Sequence, residues 1–139
     1  MATNTQSPER RLRILLSRAR REESGCWVWT GCVLPNGYGL FCLNGKKIYT
    51  HRAVLLLTGV PIPAALHVDH LCRNRACINP AHLEPVTQAE NNRRIAEART
   101  HCPQNHPWDE ANTYRDKFGA RRCRTCNRDR ARARNRSTQ

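Results

Sequence analysis

Between residues 69 and 91 the chain reads DHLCRNRACINPAHLEPVTQAEN, and groups of two different chemistries are interleaved there. Asp69 and Asn91 offer hard oxygen atoms suited to Mg²⁺ or another divalent ion, which keeps several waters and takes one or two protein ligands. His70 follows Asp69 directly, so on an extended strand its side chain points to the opposite face. It can then take a proton from water instead of sharing the ion. A base beside a cation suits phosphodiester hydrolysis: the base activates water, and the cation stabilises charge on the phosphate and the leaving oxygen.

The second chemistry is softer. Cys72, Cys77 and His82, each separated from the next by four residues, supply three of the four ligands of a closed tetrahedral zinc site. Cys26, Cys32 and Cys42 are available as the fourth, and Cys26, just ahead of Trp27 and Trp29, is preferred. A loop as polar as CRNRAC needs such a staple to bury its cysteines. A structural zinc contributes on the order of 10 kcal/mol to folding. A second set follows: Cys102 and His106, then Cys123 and Cys126 in a Cys-x2-Cys arm, spaced like a small zinc knuckle. Trp108, Tyr114 and Phe118 are expected to give this piece a miniature core. Eight arginines stand between Arg121 and Arg136, and Arg121, Arg122, Arg124, Arg128 and Arg130 are candidate DNA-phosphate contacts. This last stretch is expected to be unfolded unless bound.

The elements that must position these groups can be read from pattern. Residues 1–6 are polar and expected to be disordered. Ser7-Pro8 opens a helix, Ser7 as cap and Pro8 at the first helical position, with Leu12, Leu15, Leu16 and Ala19 on one face and six arginines over much of the rest. CWVWTG reads as a short strand. YGLFCL and KKIYTH flank Asn44-Gly45, a strong hairpin signal because both turn residues tolerate positive φ. Residues 53–57 read as a short buried helix ended by Gly59 and Pro61. LHVDH reads as a strand ending on Asp69-His70, and residues 83–86 as a second. Thr87 with Glu90 three residues on forms a capping-box pattern opening a helix to about Arg99.

Composition narrows the partners. The chain has 139 residues and a net charge of +13, with 39% hydrophobic but only 6% aromatic residues. Residues 93–139 carry +8 of that charge, residues 1–23 carry +3 and residues 24–92 only +2. An ordinary core with basic flanks points to a polyanion as partner, since each neutralised phosphate releases a counterion. No signal peptide is evident and no run of about 18 apolar residues suggests a membrane span. The eight cysteines therefore read as metal ligands in a reducing cytosol, not as disulfides.

Asp69-His70, the NPAHL segment and the helix carrying Glu90-Asn91 resemble the HNH endonucleases of the His-Me finger (ββα-metal) group. The order and spacing of His70, Cys72, Cys77, His82 and Asn91 are closer still to the His-Cys box homing endonucleases. The resemblance covers roughly residues 24–95. It implies that His70 is the general base, that Cys72, Cys77 and His82 bind structural zinc with an upstream cysteine matching Cys26, and that Asn91 binds the catalytic metal. GCWVWTG, GYG, HR and the C-terminal cysteine module also look like HNH proteins carried by bacteriophages of actinobacteria. Many HNH enzymes have histidine where this chain has Asn91, and the His-Cys box branch lacks an acidic residue before its base. A one- or two-ligand metal site is thus left open at Asp69 and Asn91. Asn79 is assigned to brace the loop while His82 binds zinc. The family places a basic residue near the leaving group, and Lys47 and Arg52 both qualify.

The expectation is therefore an α+β fold: a His-Me finger core preceded by a β-hairpin, stapled by zinc, with a small C-terminal zinc module. A basic N-terminal helix spans 1–23, the nuclease domain 24–100 and the zinc module with its arginine-rich tail 101–139. The expected activity is metal-dependent DNA cleavage with two structural Zn²⁺ and one catalytic divalent ion, Mg²⁺ or another. The expected setting is the cytoplasm, that of the host if the chain is phage-encoded. Cleavage of both strands would favour a homodimer. The rival expectation is a non-catalytic zinc protein that binds nucleic acid.

Overall fold

A computed structural model describes residues 7–137 and divides the chain into two units, Met1–Asn91 and Asn92–Gln139. The expected disordered stretch 1–6 lies outside the described residues. In the first unit, Ser7 Oγ accepts from the Arg10 amide at 3.3 Å and Pro8 sits in the first turn, fixing the start of α1 (Pro8–Ser17). The helix stops earlier than its apolar spacing suggests. Ala19 lies not on α1 but on strand β1 (Ala19–Arg21), opposite Trp29 of β2 (Trp27–Trp29). The pairing wins because it satisfies backbone groups a longer helix would leave open: both the amide and the hydroxyl of Thr30 donate to the Arg18 carbonyl, at 2.9 and 2.7 Å.

Strands β3 (Leu40–Leu43) and β4 (Lys46–Tyr49) form the expected hairpin, with Asn44 at φ 52° and Gly45 at φ 74°. Tyr49 leads straight into α2 (Thr50–Leu57), whose Ala53, Val54 and Leu55 are buried. Gly39 permits this join: a Cβ there would come within 2.6 Å of both Thr50 Oγ1 and Trp29 Cδ1. Strands β5 (Leu66–His70) and β6 (Leu83–Thr87) pair antiparallel, with Asp69 opposite Glu84 and His70 opposite Leu83. Thr87 Oγ1 accepts from the Glu90 amide at 3.2 Å and opens α3 (Gln88–Ala98), within which the two units divide. The core draws on α1, β2, β3, α2, β5, the cysteine loop and β6: Leu15, Trp29, Phe41, Ala53, Val54, Leu55, Val68, Ile78 and Leu83. Trp29 and Phe41 meet edge to face with centroids 6.0 Å apart.

The second unit has a small antiparallel pair, β7 (Thr113–Arg115) and β8 (Arg121–Cys123), followed by α4 (Arg124–Arg136). Two expectations are corrected here. Phe118 is no part of a miniature core: it is 83% exposed. Asp116 Oδ1 accepts from the amides of Phe118 and Ala120, at 2.9 and 3.0 Å, and this tight turn lifts the ring away from the strands. The arginine-rich stretch, expected to be unfolded, is helical. Cys123 Sγ caps it by accepting from the Cys126 amide at 3.4 Å, and arginine and alanine are both strong helix formers. No helix among the described residues is long and apolar enough to cross a membrane.

Candidate active site and metal centres

The donor atoms of Cys26, Cys72, Cys77 and His82 all lie within 4.8 Å of one another. Local bonds bring them there. Asn79 accepts from the Ala81 amide at 3.0 Å, shaping the short 3-10 turn Pro80–His82, and its Nδ2 donates to the Gly25 carbonyl at 2.8 Å. The Ile78 amide donates to the Trp27 carbonyl and the Trp29 amide to the Ala76 carbonyl, so β2 runs beside the loop and delivers Cys26. His82 Nδ1 lies 3.7 Å from the sulfurs of both Cys26 and Cys77. Burial pushes the Cys77 thiol up to about 11, so a cation, not simple deprotonation, is what would hold it as thiolate. Cys32 and Cys42 are exposed and stand outside the group.

His70 is buried at the end of β5, and its Nε2 lies 3.2 Å from the carbonyl oxygen of Cys77. A carbonyl only accepts, so Nε2 carries the proton and the lone pair resides on Nδ1. Burial lowers the pKa of His70, Arg75 adds to that lowering, and the Cys77 bond and Asp69 oppose it. Asp69 is also buried, and its Oδ1 accepts from Arg73 Nη1 at 3.0 Å. Asn91 is half-buried in the first turn of α3. Lys47 stands exposed on β4 opposite Cys42, while Arg52 is half-buried and donates to the Leu66 carbonyl at 3.4 Å.

Three rings around His70 escape a reading of the sequence. His51 packs edge-on against His70 with centroids 5.0 Å apart, and Tyr38 lies 5.3 Å from His51 and 5.8 Å from His70. Tyr49 stacks on His51 at 5.6 Å. Burial first, then the charges of His70 and Arg52, hold His51 down at about 3, so it is neutral. His51 Nδ1 and Thr50 Oγ1 are buried without a hydrogen-bond partner. The GYG and HR segments contain two of these rings, but their proximity to His70 is a property of the folded chain alone.

In the second unit, Cys102, His106, Cys123 and Cys126 also bring their donor atoms within 4.8 Å of one another. Burial, followed by hydrogen bonding to Cys102 and Cys123, raises Cys126 to about 12. Of the five arginines singled out, Arg121 lies 4.4 Å over the Trp108 ring and donates to the carbonyls of Ala96 and Arg99. Arg122 pairs with Asp116 at 2.8 Å and Arg124 lies 5.3 Å over Tyr114. Arg128 donates to Thr125 Oγ1 at 3.2 Å, and Arg130 is exposed on α4.

Residues 48–93 match the family model described as HNH endonuclease. Protein 2.8 of Escherichia phage T7 is 39% identical over 79 residues, covering 55% of this chain and 53% of its own length. Protein 7.7 of the same phage is 39% identical over 66 residues, 48% of this chain and 51% of its own. The chain thus spans about half the length of the curated relatives it matches. No solved structure matches it. The family match begins in β4, runs through α2 and the β5–β6 hairpin with its cysteine loop, and ends inside α3, so the likeness to HNH endonucleases and to the phage proteins lies over the stretch that holds His70 and the first Cys/His group.

Proposed function

We propose that the chain is a divalent-metal-dependent DNA endonuclease in which His70 is the general base and β5, β6 and α3 form a ββα-metal unit. The observation that carries this reading is the bond from His70 Nε2 to the Cys77 carbonyl. It orients the ring and leaves Nδ1 as a neutral base within a buried site. Asp69 and Asn91 would hold the divalent ion: both present hard oxygens, and Asp69 is a buried carboxylate whose partner Arg73 is a partly exposed side chain. The ion would supply charge stabilisation at the phosphate and the departing 3′ oxygen. The chain's own residues take the proton from water at Nδ1 of His70 and shield the site with Tyr38, Tyr49 and His51. By likeness to the family, the products carry a 5′ phosphate and a 3′ hydroxyl.

The two thiolate-rich groups suit zinc, whose structural sites are tetrahedral with cysteine and histidine ligands. DNA affinity is read as mostly independent of sequence, supplied by the net charge of +13 and by exposed arginines such as Arg128 and Arg130. Cutting both strands would call for a second copy of the chain. A plasmid-nicking assay in Mg²⁺, comparing wild type with His70→Ala, tests the reading. Loss of nicking in the variant is expected; equal nicking by both proteins would overturn the assignment of His70, and no nicking by either would leave a zinc protein that binds nucleic acid.

A further inference from the structure

The basic side chains near His70 are not equivalent. Arg73 is paired with the Asp69 carboxylate at 3.0 Å. Arg52 is turned to the Leu66 carbonyl, and Lys47 stands on the hairpin opposite Cys42. Arg75 differs from all three. Its Nη1 donates to the Asn36 carbonyl at 2.9 Å, and its guanidinium lies 5.5 Å from the centroid of Tyr38, whose ring is itself 5.8 Å from His70. Its stem lies along Gly37, where an added Cβ would come 3.5 Å from Arg75 Cδ. Among the described residues no carboxylate pairs with Arg75 or with Arg52; Arg75 is set apart by its place over Tyr38, and its charge is felt at His70.

We infer that Arg75 is a phosphate-binding catalytic residue, held by the Asn36–Tyr38 segment so that its guanidinium meets the scissile phosphodiester beside His70; this rests on the nuclease reading above. One bond to Asn36 leaves most of the five guanidinium N–H donors available, and the planar fork matches two phosphate oxygens. Anchored by a carbonyl and an aromatic face, neither of which neutralises it, the cation keeps its charge and loses little freedom on binding. Its place in the chain adds to the case. Arg75 lies between Cys72 and Cys77, so the loop that orients the base through the Cys77 carbonyl would also present the cation.

The test uses Arg75→Gln, which retains an amide donor for Asn36, together with Arg75→Lys, in the full zinc-loaded chain. DNA affinity is measured without added divalent ion across a range of salt, and cleavage is measured at saturating DNA in Mg²⁺. For Arg75→Gln the slope of log Kd against log salt should fall by about 1, and kcat should fall roughly 100-fold. Arg75→Lys should keep the slope and recover part of kcat, and added guanidinium should partly rescue Arg75→Gln. An unchanged salt slope overturns the inference whether or not the wild type cuts DNA. A reduced slope with unchanged kcat also overturns it, by placing Arg75 on a remote phosphate. If the wild type binds but never cuts, the nuclease reading fails, and the slope alone decides whether Arg75 meets phosphate.

Discussion

His70 Nε2 lies 3.2 Å from the carbonyl oxygen of Cys77, while the sulfur of the same Cys77 lies 3.7 Å from Nδ1 of His82. One residue therefore belongs to both the metal group and the support of the proposed base. Cys77 is fully buried and is further bonded through its amide to the Asn74 carbonyl, so its peptide cannot shift without moving the loop.

This link predicts that Cys77→Ser, which keeps the carbonyl, nonetheless abolishes nicking. Loss of the metal would release the loop, and on the order of 10 kcal/mol of folding energy is at stake in such a site. The melting temperature should fall and zinc content should drop by one per chain in elemental analysis. Full activity in a variant that has lost this zinc would disconnect the staple from the base.

His70→Ala is expected to lower nicking by roughly 10²–10⁴-fold, the usual contribution of a positioned general base. Zinc content and circular dichroism should stay at wild-type levels, because His70 belongs to neither metal group.

His51 should make stability depend on pH. Its folded pKa of about 3 lies below the ordinary value of 6.5, so between these values the unfolded chain binds the extra proton. The stabilisation is thus complete above pH 6.5 and is lost as pH falls toward 3, by up to about 1.4 kcal/mol per pH unit. His51→Phe removes the titrating group and the unpartnered Nδ1. Urea denaturation should show this variant to be at least as stable as wild type near pH 5, with a flatter acid limb. A limb identical to that of wild type would mean that other groups, the metal ligands among them, account for the whole dependence.

The second unit predicts a contrast between arginines. Arg121→Ala removes the contact over Trp108 and the bonds to two carbonyls and should destabilise this unit by about 1–2 kcal/mol. Arg130→Ala, on the exposed face of α4, should leave the melting temperature unchanged and only reduce the salt dependence of DNA binding. The opposite ranking would reverse the two roles.

Elemental analysis of the wild type should give about two zinc ions per chain, one for each Cys/His group, and Cys126→Ser about one. A wild-type value near one would remove the C-terminal centre.

Much of this was legible because it is local in sequence. The Asn44-Gly45 turn, the Thr87 cap and the Ser7-Pro8 helix start each rest on a few adjacent residues, whose backbone preferences act before any tertiary contact. The end of α1 was not legible in the same way: the apolar spacing carries on to Ala19, but pairing with Trp29, ten residues away, turns that residue into strand. Phe118 went astray for a related reason. Aromatic character favours burial, and only the Asp116-centred turn shows that the ring faces water.

By itself, the sequence determined the chemistry on offer: thiolates and imidazoles at ligand spacing, an Asp-His pair at a strand end, and a charge suited to a polyanion. Donor type and close spacing along the chain are covalent facts, and they bring Cys72, Cys77 and His82 together in almost any compact loop. Only the tertiary structure decided which cysteine completes the group, which rings enclose His70, and which arginine lies over Tyr38 beside it. Those depend on β2 running beside the cysteine loop and on β4 leading into α2 against Tyr38, pairings between residues far apart in the chain. Such contacts are selected by the shared burial of the core, which no short stretch of the chain encodes.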